Sequence, residues 1–302
     1  MAARVPSWSL VFVGCVAWGA AGLRLDGAAR TATRSFEDRS VLVTVLDDQH
    51  MPVKDLGPAE IVVREDGAAR EVVSVAPATG AMCVALLVDT AKPRQGSQAP
   101  TRDLRTGLTN FVRTVKAGIP DAEFAVMEFA GAAVMTQNFT ANAGDVERRL
   151  GRLFPSQQVS AVLMEALVDV SQTMSRRPCR RRAIVSVDFD SQEASELPGQ
   201  KIGEAVQRAD AALWSISVQR GPTNASGAQR NVVLNLLTEI TGGLRFNIVE
   251  ATALDALLQK IAGALTSQYL VSYKRPDGAT VTQIRAASPK GTIVLATRLV
   301  SH

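Results

Sequence analysis

The sequence predicts an α/β fold: a doubly wound, mostly parallel sheet inserted in or flanked by a small antiparallel β unit. Three observations predict it. From residue 81 onward, fully apolar runs such as Ala81–Asp89 (AMCVALLVD) and Ala212–Val218 (ALWSISV) alternate with stretches of helical periodicity, the pattern of strands buried on both faces between covering helices. On either side, at 40–76 and 268–297, lie short β-branched strands broken by turn residues. The 302 residues, 46% hydrophobic and 21% charged, suffice for one good core and a small second unit.

The first 22 residues, MAARVPSWSLVFVGCVAWGAAG, carry an early arginine, an apolar run from Trp8 and then small residues. They read as a signal peptide, so the mature chain is expected to be exported: periplasmic, secreted or associated with the cell envelope, with no transmembrane span. The run is short of the roughly 20 residues of a membrane span, which disfavours the alternative of an uncleaved anchor. Phe12-Val13-Gly14-Cys15 also has the look of a bacterial lipobox, a secondary expectation of a lipid on Cys15. Residues 23–37 are polar, small and aperiodic, a linker. Cys83 and Cys179 remain. In an oxidising compartment they are candidates for a disulfide, and two separately buried thiols are the alternative.

The N-terminal β unit, 38–78, contains a strand at Ser40–Leu46, a turn at Asp47–His50, a strand at Ile61–Arg64, a tight turn at Glu65-Asp66-Gly67 and a strand at Glu71–Ala76. In the α/β region, 81–266, Leu104, Leu108, Phe111, Val112 and Val115 give a helix over 102–116. Strands follow at 122–130 and 132–139, then helices at 144–153, capped by Thr140 or Asn142, and at 159–174. A second acid-terminated strand, RAIVSVDFD, covers 182–190, followed by a helix over 201–211 and the 212–218 strand. A helix over 231–240 stops at Thr241-Gly242-Gly243, and a strand at 244–248 and a helix at 252–266 complete the region. Strands at 268–273, 281–287 and 292–297 form the C-terminal segment, 267–302, expected to pair with 38–78.

Composition removes several functions. Net charge is only +4 and aromatics are 5%, so the composition does not by itself point to a nucleic-acid binder and offers few stacking platforms. The two histidines, His50 in a turn and His302 at the end, are poorly placed for a nucleophile–base pair, and no phosphate-cradling glycine loop appears. No enzyme chemistry is expected. The run SRRPCRRR gathers Arg176, Arg177, Arg180, Arg181 and Arg182, which reads either as a solvated helix end or as a patch for an anionic partner.

Four stretches carry a family resemblance: VTVLDDQHMPVKDLGPAEIVVREDG, VALLVDTA, LTEITGGLRFN and ALTSQYLVSYKRPDG. Over roughly 38–300 the chain resembles the exported VWFA-related proteins of bacteria, of the acidobacterial type, built around a von Willebrand factor type A domain. The resemblance implies a site for Mg²⁺ or Mn²⁺ built from D-x-S-x-S, a distant threonine and a second aspartate. Asp89 matches the first aspartate and Asp188 in VSVDFD the second, but Ala91 and Pro93 stand at the serine positions. In VSAVLMEAL the threonine position falls on Ala161, beside Ser160. Mg²⁺ takes six oxygens in near-octahedral geometry, so a residual acidic pair implies weak binding of Mg²⁺ or Mn²⁺ at most, with no cofactor required. Thr90, Ser160 and Asp190 are candidate substitutes and, with Asp89 and Asp188, form the expected ligand-binding group. The expected function is an exported, non-enzymatic protein-binding module with a degenerate metal site. The alternatives are an assembly component of the cell envelope, acting through the β unit or the arginines, and a metal-dependent adhesion protein with an unconventional site.

Overall fold

The computed structural model describes residues 36–92, 100–219 and 225–298; the expected leader, the lipobox and most of the linker lie outside the described residues. The central layer is a six-stranded sheet in the order β12-β11-β9-β5-β6-β7, made of β5 (Met82–Asp89), β6 (Glu123–Phe129), β7 (Ala133–Thr140), β9 (Arg181–Phe189), β11 (Ala212–Val218) and β12 (Arg245–Ile248). The pairings are parallel except β6 with β7, which is antiparallel. Every residue of β5, β9 and β11 is buried, which is why these strands read as largely apolar runs.

Helices cover both faces. On one, α1 (Thr101–Gly118), α2 (Ala143–Leu150) and α6 (Leu254–Thr266) pack Leu108, Phe111, Leu150, Leu258 and Ile261 against Val84, Leu86 and Trp214. On the other, α3 (Leu163–Ser175), α4 (Gly199–Arg208) and α5 (Ala225–Thr241) pack Leu167, Val206, Leu234 and Leu237 against Leu87, Ile184 and Leu213. Asn142 is the cap of α2, its side chain accepting from the Gly144 amide at 3.0 Å. The helix expected from Val159 begins only at Leu163, because Ser160–Ala161 (β8) pairs instead with Gln192–Glu193 (β10). Helix α5 begins at Ala225, six residues before the sequence-based start, and the second acid-terminated strand ends at Phe189 rather than Asp190.

Strands from the two ends of the chain share two further sheets. β1 (Phe36–Leu46) lies between β13 (Tyr269–Pro276) and β15 (Ile293–Arg298), and β13 also pairs with β4 (Val72–Pro77). The sequence misses β3 (Ala68–Arg70), which forms a hairpin with β2 (Val62–Glu65) on a turn whose Asp66 and Gly67 both have positive φ. The expected strand at 281–287 shortens to β14 (Ile284–Ala287) and pairs with β2. His50, at φ 62°, stacks edge-on to Phe246 of β12 at 5.2 Å and so seats the turn on the central sheet. Among the described residues no helix is long and apolar enough to cross a membrane.

Candidate functional site

Parallel register brings two acids to the same edge of the sheet. Asp89 is the last residue of β5, and Asp188 of β9 lies beside Ser217 of β11. In open α/β sheets this carboxyl edge is where ligands bind. Here both acids are turned inward. Asp89, 2% exposed, accepts from the Ala91 amide at 2.8 Å, the Phe189 amide at 3.0 Å and the Ser191 hydroxyl at 2.6 Å. Burial pushes its carboxyl up to about 7 against the pull of these three donors. Asp188 is fully buried, accepts from the Ser217 hydroxyl at 2.9 Å and is likewise raised by burial, opposed first by Arg230.

The structure adds a residue that the sequence reading missed. The guanidinium of Arg230, 1% exposed, lies 3.5 Å from the second oxygen of Asp188 and 3.9 Å from Glu193. It donates to the carbonyls of Phe189 at 3.3 Å and Ser191 at 3.5 Å. Arg245 is a second cation: it donates to the Ser217 hydroxyl at 3.0 Å, and that hydroxyl in turn donates to Asp188. Glu193 accepts from the Leu163 amide at 3.1 Å, and the Ser195 hydroxyl lies between the carboxylates of Glu193 and Glu165. The signal that would have found Arg230 is helical spacing. With Leu234, Leu237, Thr238 and Thr241 it recurs at three- and four-residue intervals on the buried face of α5.

Two segments lie over this edge. The loop before β8 crosses the end of β5, with the Ser156 amide donating to the Thr90 carbonyl at 2.6 Å and the Lys92 amide to the Gln158 carbonyl at 2.6 Å. The β8–β10 pair lies next to it. A crevice lined by Asp89, Thr90, Pro100, Phe154 and Phe189 holds about 10 Å³, room for no more than one water. Thr90 is 9% exposed, Ser160 is held in β8, half-buried, and Asp190 is half-buried just past β9. Of the expected ligand-binding group, the structure thus gathers Asp89 and Asp188 with Arg230. It places Thr90 and Ser160 in the covering backbone rather than as a set of converging oxygens.

The Asp89 oxygens are already engaged by three protein donors, Ala91 offers an amide in place of an oxygen, and a guanidinium faces Asp188. Pro93 lies outside the described residues.

The arginine run is not one surface. Arg181, 2% exposed, and Arg182, 5% exposed, are spent on backbone carbonyls: Ala78 and Leu265 for the first, Cys179, Ala209 and Arg177 for the second. Arg177 pairs with Glu123 and lies over the ring of Phe139, leaving Arg176 and Arg180 exposed. β9 starts inside the run and draws its last two members into the core, so the expected anionic-partner patch is dispersed. Cys83 and Cys179 are joined in a disulfide with Cα atoms 5.8 Å apart. Glu123 sits 3.8 Å from the Cys83 sulfur, and these three side chains could converge on a metal only with the disulfide opened.

No family model matches the chain, and no curated protein matches it in sequence. Solved structures match its fold. The chain is similar to a von Willebrand factor type A protein from Catenulispora acidiphila, with a TM-score of 0.51 at 10% identity over 89% of this chain and 72% of that one. It is also similar to proximal thread matrix protein 1 of the mussel byssus, solved with a zinc-occupied MIDAS motif, with a TM-score of 0.50 at 12% identity. That match covers 71% of this chain and half of the byssus protein. BatB from Bacteroides thetaiotaomicron superposes with a TM-score of 0.47 at 13% identity, over 62% of this chain and the whole of BatB.

Proposed function

Taking the fold as that of a von Willebrand factor type A domain, we propose that this chain is an exported, non-enzymatic protein-binding module that works without a bound metal. The observation that carries the reading is the inward engagement of Asp89 and Asp188, whose oxygens face protein donors and a buried arginine rather than an open surface. Export is supported by the leader sequence and by a buried disulfide, which persists in oxidising compartments. The non-enzymatic reading is supported by His50, whose ring is packed edge-on against Phe246.

The contact surface belongs to the loop that covers β5. Phe154 is 66% exposed and Val159 60%, both on that loop, and Arg105 stacks on the Phe154 ring at 4.5 Å while donating to the Leu153 carbonyl. Exposed aromatic and β-branched side chains on a braced backbone are what a protein interface uses as anchors. The test is capture of binding proteins from an envelope extract by the full chain, with and without EDTA, and by a Phe154→Ala/Val159→Ala variant. Capture should survive EDTA and be lost in the variant. Capture that disappears with EDTA and returns with Mg²⁺ would refute the metal-independent reading.

A further inference from the structure

Four oxygens surround one buried guanidinium at the carboxyl edge of β9, so the cation among them is a side chain. They are a carboxylate oxygen each of Asp188 and Glu193 and the carbonyls of Phe189 and Ser191, at 3.3–3.9 Å from the terminal nitrogens of Arg230. Carboxylates with backbone carbonyls are the donor set that a hard divalent cation takes. We propose that Arg230 is a built-in cation, a tethered guanidinium that neutralises the acid cluster at the strand ends and keeps divalent ions out of it.

Burial makes the charge necessary. Asp188 is 0% exposed and Glu193 almost so on its side chain, and a buried carboxylate without a cation is strongly disfavoured. The Asp188 and Glu193 oxygens nearest Arg230 accept no hydrogen bond, and the Arg230 Nε donates none, so attraction across the cluster holds them. Each is nine-tenths or more buried and aimed at the others.

Distance separates this arrangement from a metal shell. Mg²⁺ or Mn²⁺ would draw its oxygens to about 2.0–2.2 Å, whereas the planar guanidinium spreads one charge over a wider fork and meets these four oxygens at 3.3–3.9 Å. The buried Arg230 faces Asp188 and Glu193, and the half-buried Arg245 reaches Asp188 through the Ser217 hydroxyl. A divalent ion added to that balance would meet a like charge with no water to screen it. Three segments close the arrangement: β9 supplies Asp188, β10 supplies Glu193, and α5 supplies Arg230. The role depends on the acids and not on any partner, so a folded Arg230→Ala that ignores Mn²⁺ would overturn it and leave the metal-independent binding reading standing.

The experiment titrates Mn²⁺ into the full chain and into Arg230→Ala by calorimetry, with a thermal melt at each concentration. The wild type should show no saturable heat up to 1 mM Mn²⁺. Arg230→Ala should melt on the order of 10 °C lower, bind one Mn²⁺, and recover roughly 5 °C at 1 mM ion. Should Arg230→Ala fail to fold, Arg230→Met with and without Asp188→Asn decides the matter. Removing the acid as well should recover at least half of the loss caused by removing the cation alone. Micromolar Mn²⁺ binding by the wild type would overturn the proposal. So would a folded Arg230→Ala whose melting ignores Mn²⁺, or strictly additive losses in the double variant.

Discussion

The guanidinium of Arg181 donates to the Leu265 carbonyl at 2.5 Å and, from another nitrogen, to the Ala78 carbonyl at 2.8 Å. One side chain at the start of β9 thereby ties down both crossings between the α/β region and the terminal sheets: the segment before β5 and the end of α6. Gln268, which accepts from Arg181 at 3.1 Å, donates on to Thr44 of β1 at 3.4 Å. Arg181→Met keeps most of the packing but strands these acceptors, a loss of roughly 3 kcal/mol and of about 6–12 °C in melting temperature. Arg176→Ala/Arg180→Ala, in the exposed part of the same run, should move stability by no more than about 0.5 kcal/mol. Thermal melts of the two variants compare a buried and a solvated arginine separated by a few residues. Equal losses would contradict the placement of β9.

Asp89 makes stability depend on pH in a defined direction. Its folded carboxyl is raised from 3.8 to about 7, so the folded state holds the proton more tightly than the unfolded chain does. The contribution is fully present below 3.8 and is lost as pH rises through about 7, a change on the order of 4 kcal/mol. Burial shifts Asp188 and Glu193 the same way, which steepens the slope. Asp89→Asn should flatten the melting temperature between pH 4 and 7 by its own share, at a constant penalty because its amide nitrogen then faces the amide of either Ala91 or Phe189. An unchanged slope in Asp89→Asn would remove Asp89 from the account.

The disulfide closes a separation of 96 residues and links the start of β5 to the turn before β9. A loop of that length corresponds to roughly 4–5 kcal/mol of stabilisation through the unfolded chain. Cys83→Ser/Cys179→Ser should therefore melt roughly 10–15 °C lower than the oxidised chain, and the wild type in reductant should approach it. Titrating free thiols in denaturant checks the state directly: Cys83 and Cys179 should react only after reduction. A reducing agent with no effect on melting would contradict this.

How much of this was legible in the sequence follows from how local each cause is. β5, β9 and β11 could be read because burial on both faces leaves an apolar run that needs no partner to be recognised. Asp89 and Asp188 could be read because each ends or nearly ends such a run. Arg230 could not be read that way. Its partners lie 42 residues away at Asp188 and 37 away at Glu193, it follows a polar stretch that looks like loop, and a lone arginine is by default solvated. The arginine run misled for the opposite reason: adjacency in sequence looks like one patch, while a strand starting inside it sends Arg181 and Arg182 into the core. β8 and β10 were invisible because two residues each carry no periodicity.

The Thr-Gly-Gly that ends α5 shows how sharply a backbone approach can constrain a residue. Gly242 takes φ +76° and the Gly243 amide donates back to the Thr238 carbonyl at 3.0 Å, a left-handed helix ending. Conformation alone would tolerate an alanine at a modest penalty, but space does not. A Cβ on Gly243 would lie 1.8 Å from the Leu213 carbonyl oxygen of β11, and one on Gly242 2.3 Å from that of Ala296 on β15. Both obstacles are strand backbone, which cannot swing aside as a side chain would. Gly278 is the control, with φ +72° and nothing within 4 Å of its would-be Cβ. Gly278→Ala should cost about 1 kcal/mol, the strain of an alanine in the left-handed region. Gly243→Ala should cost more than about 4 kcal/mol, because α5 must separate from β11 and carry Arg230 away from Asp188 as it goes. Thermal melts of the two alanine variants read the difference. A Gly243→Ala protein melting within about 3 °C of Gly278→Ala would mean that α5 is not seated against β11 as described.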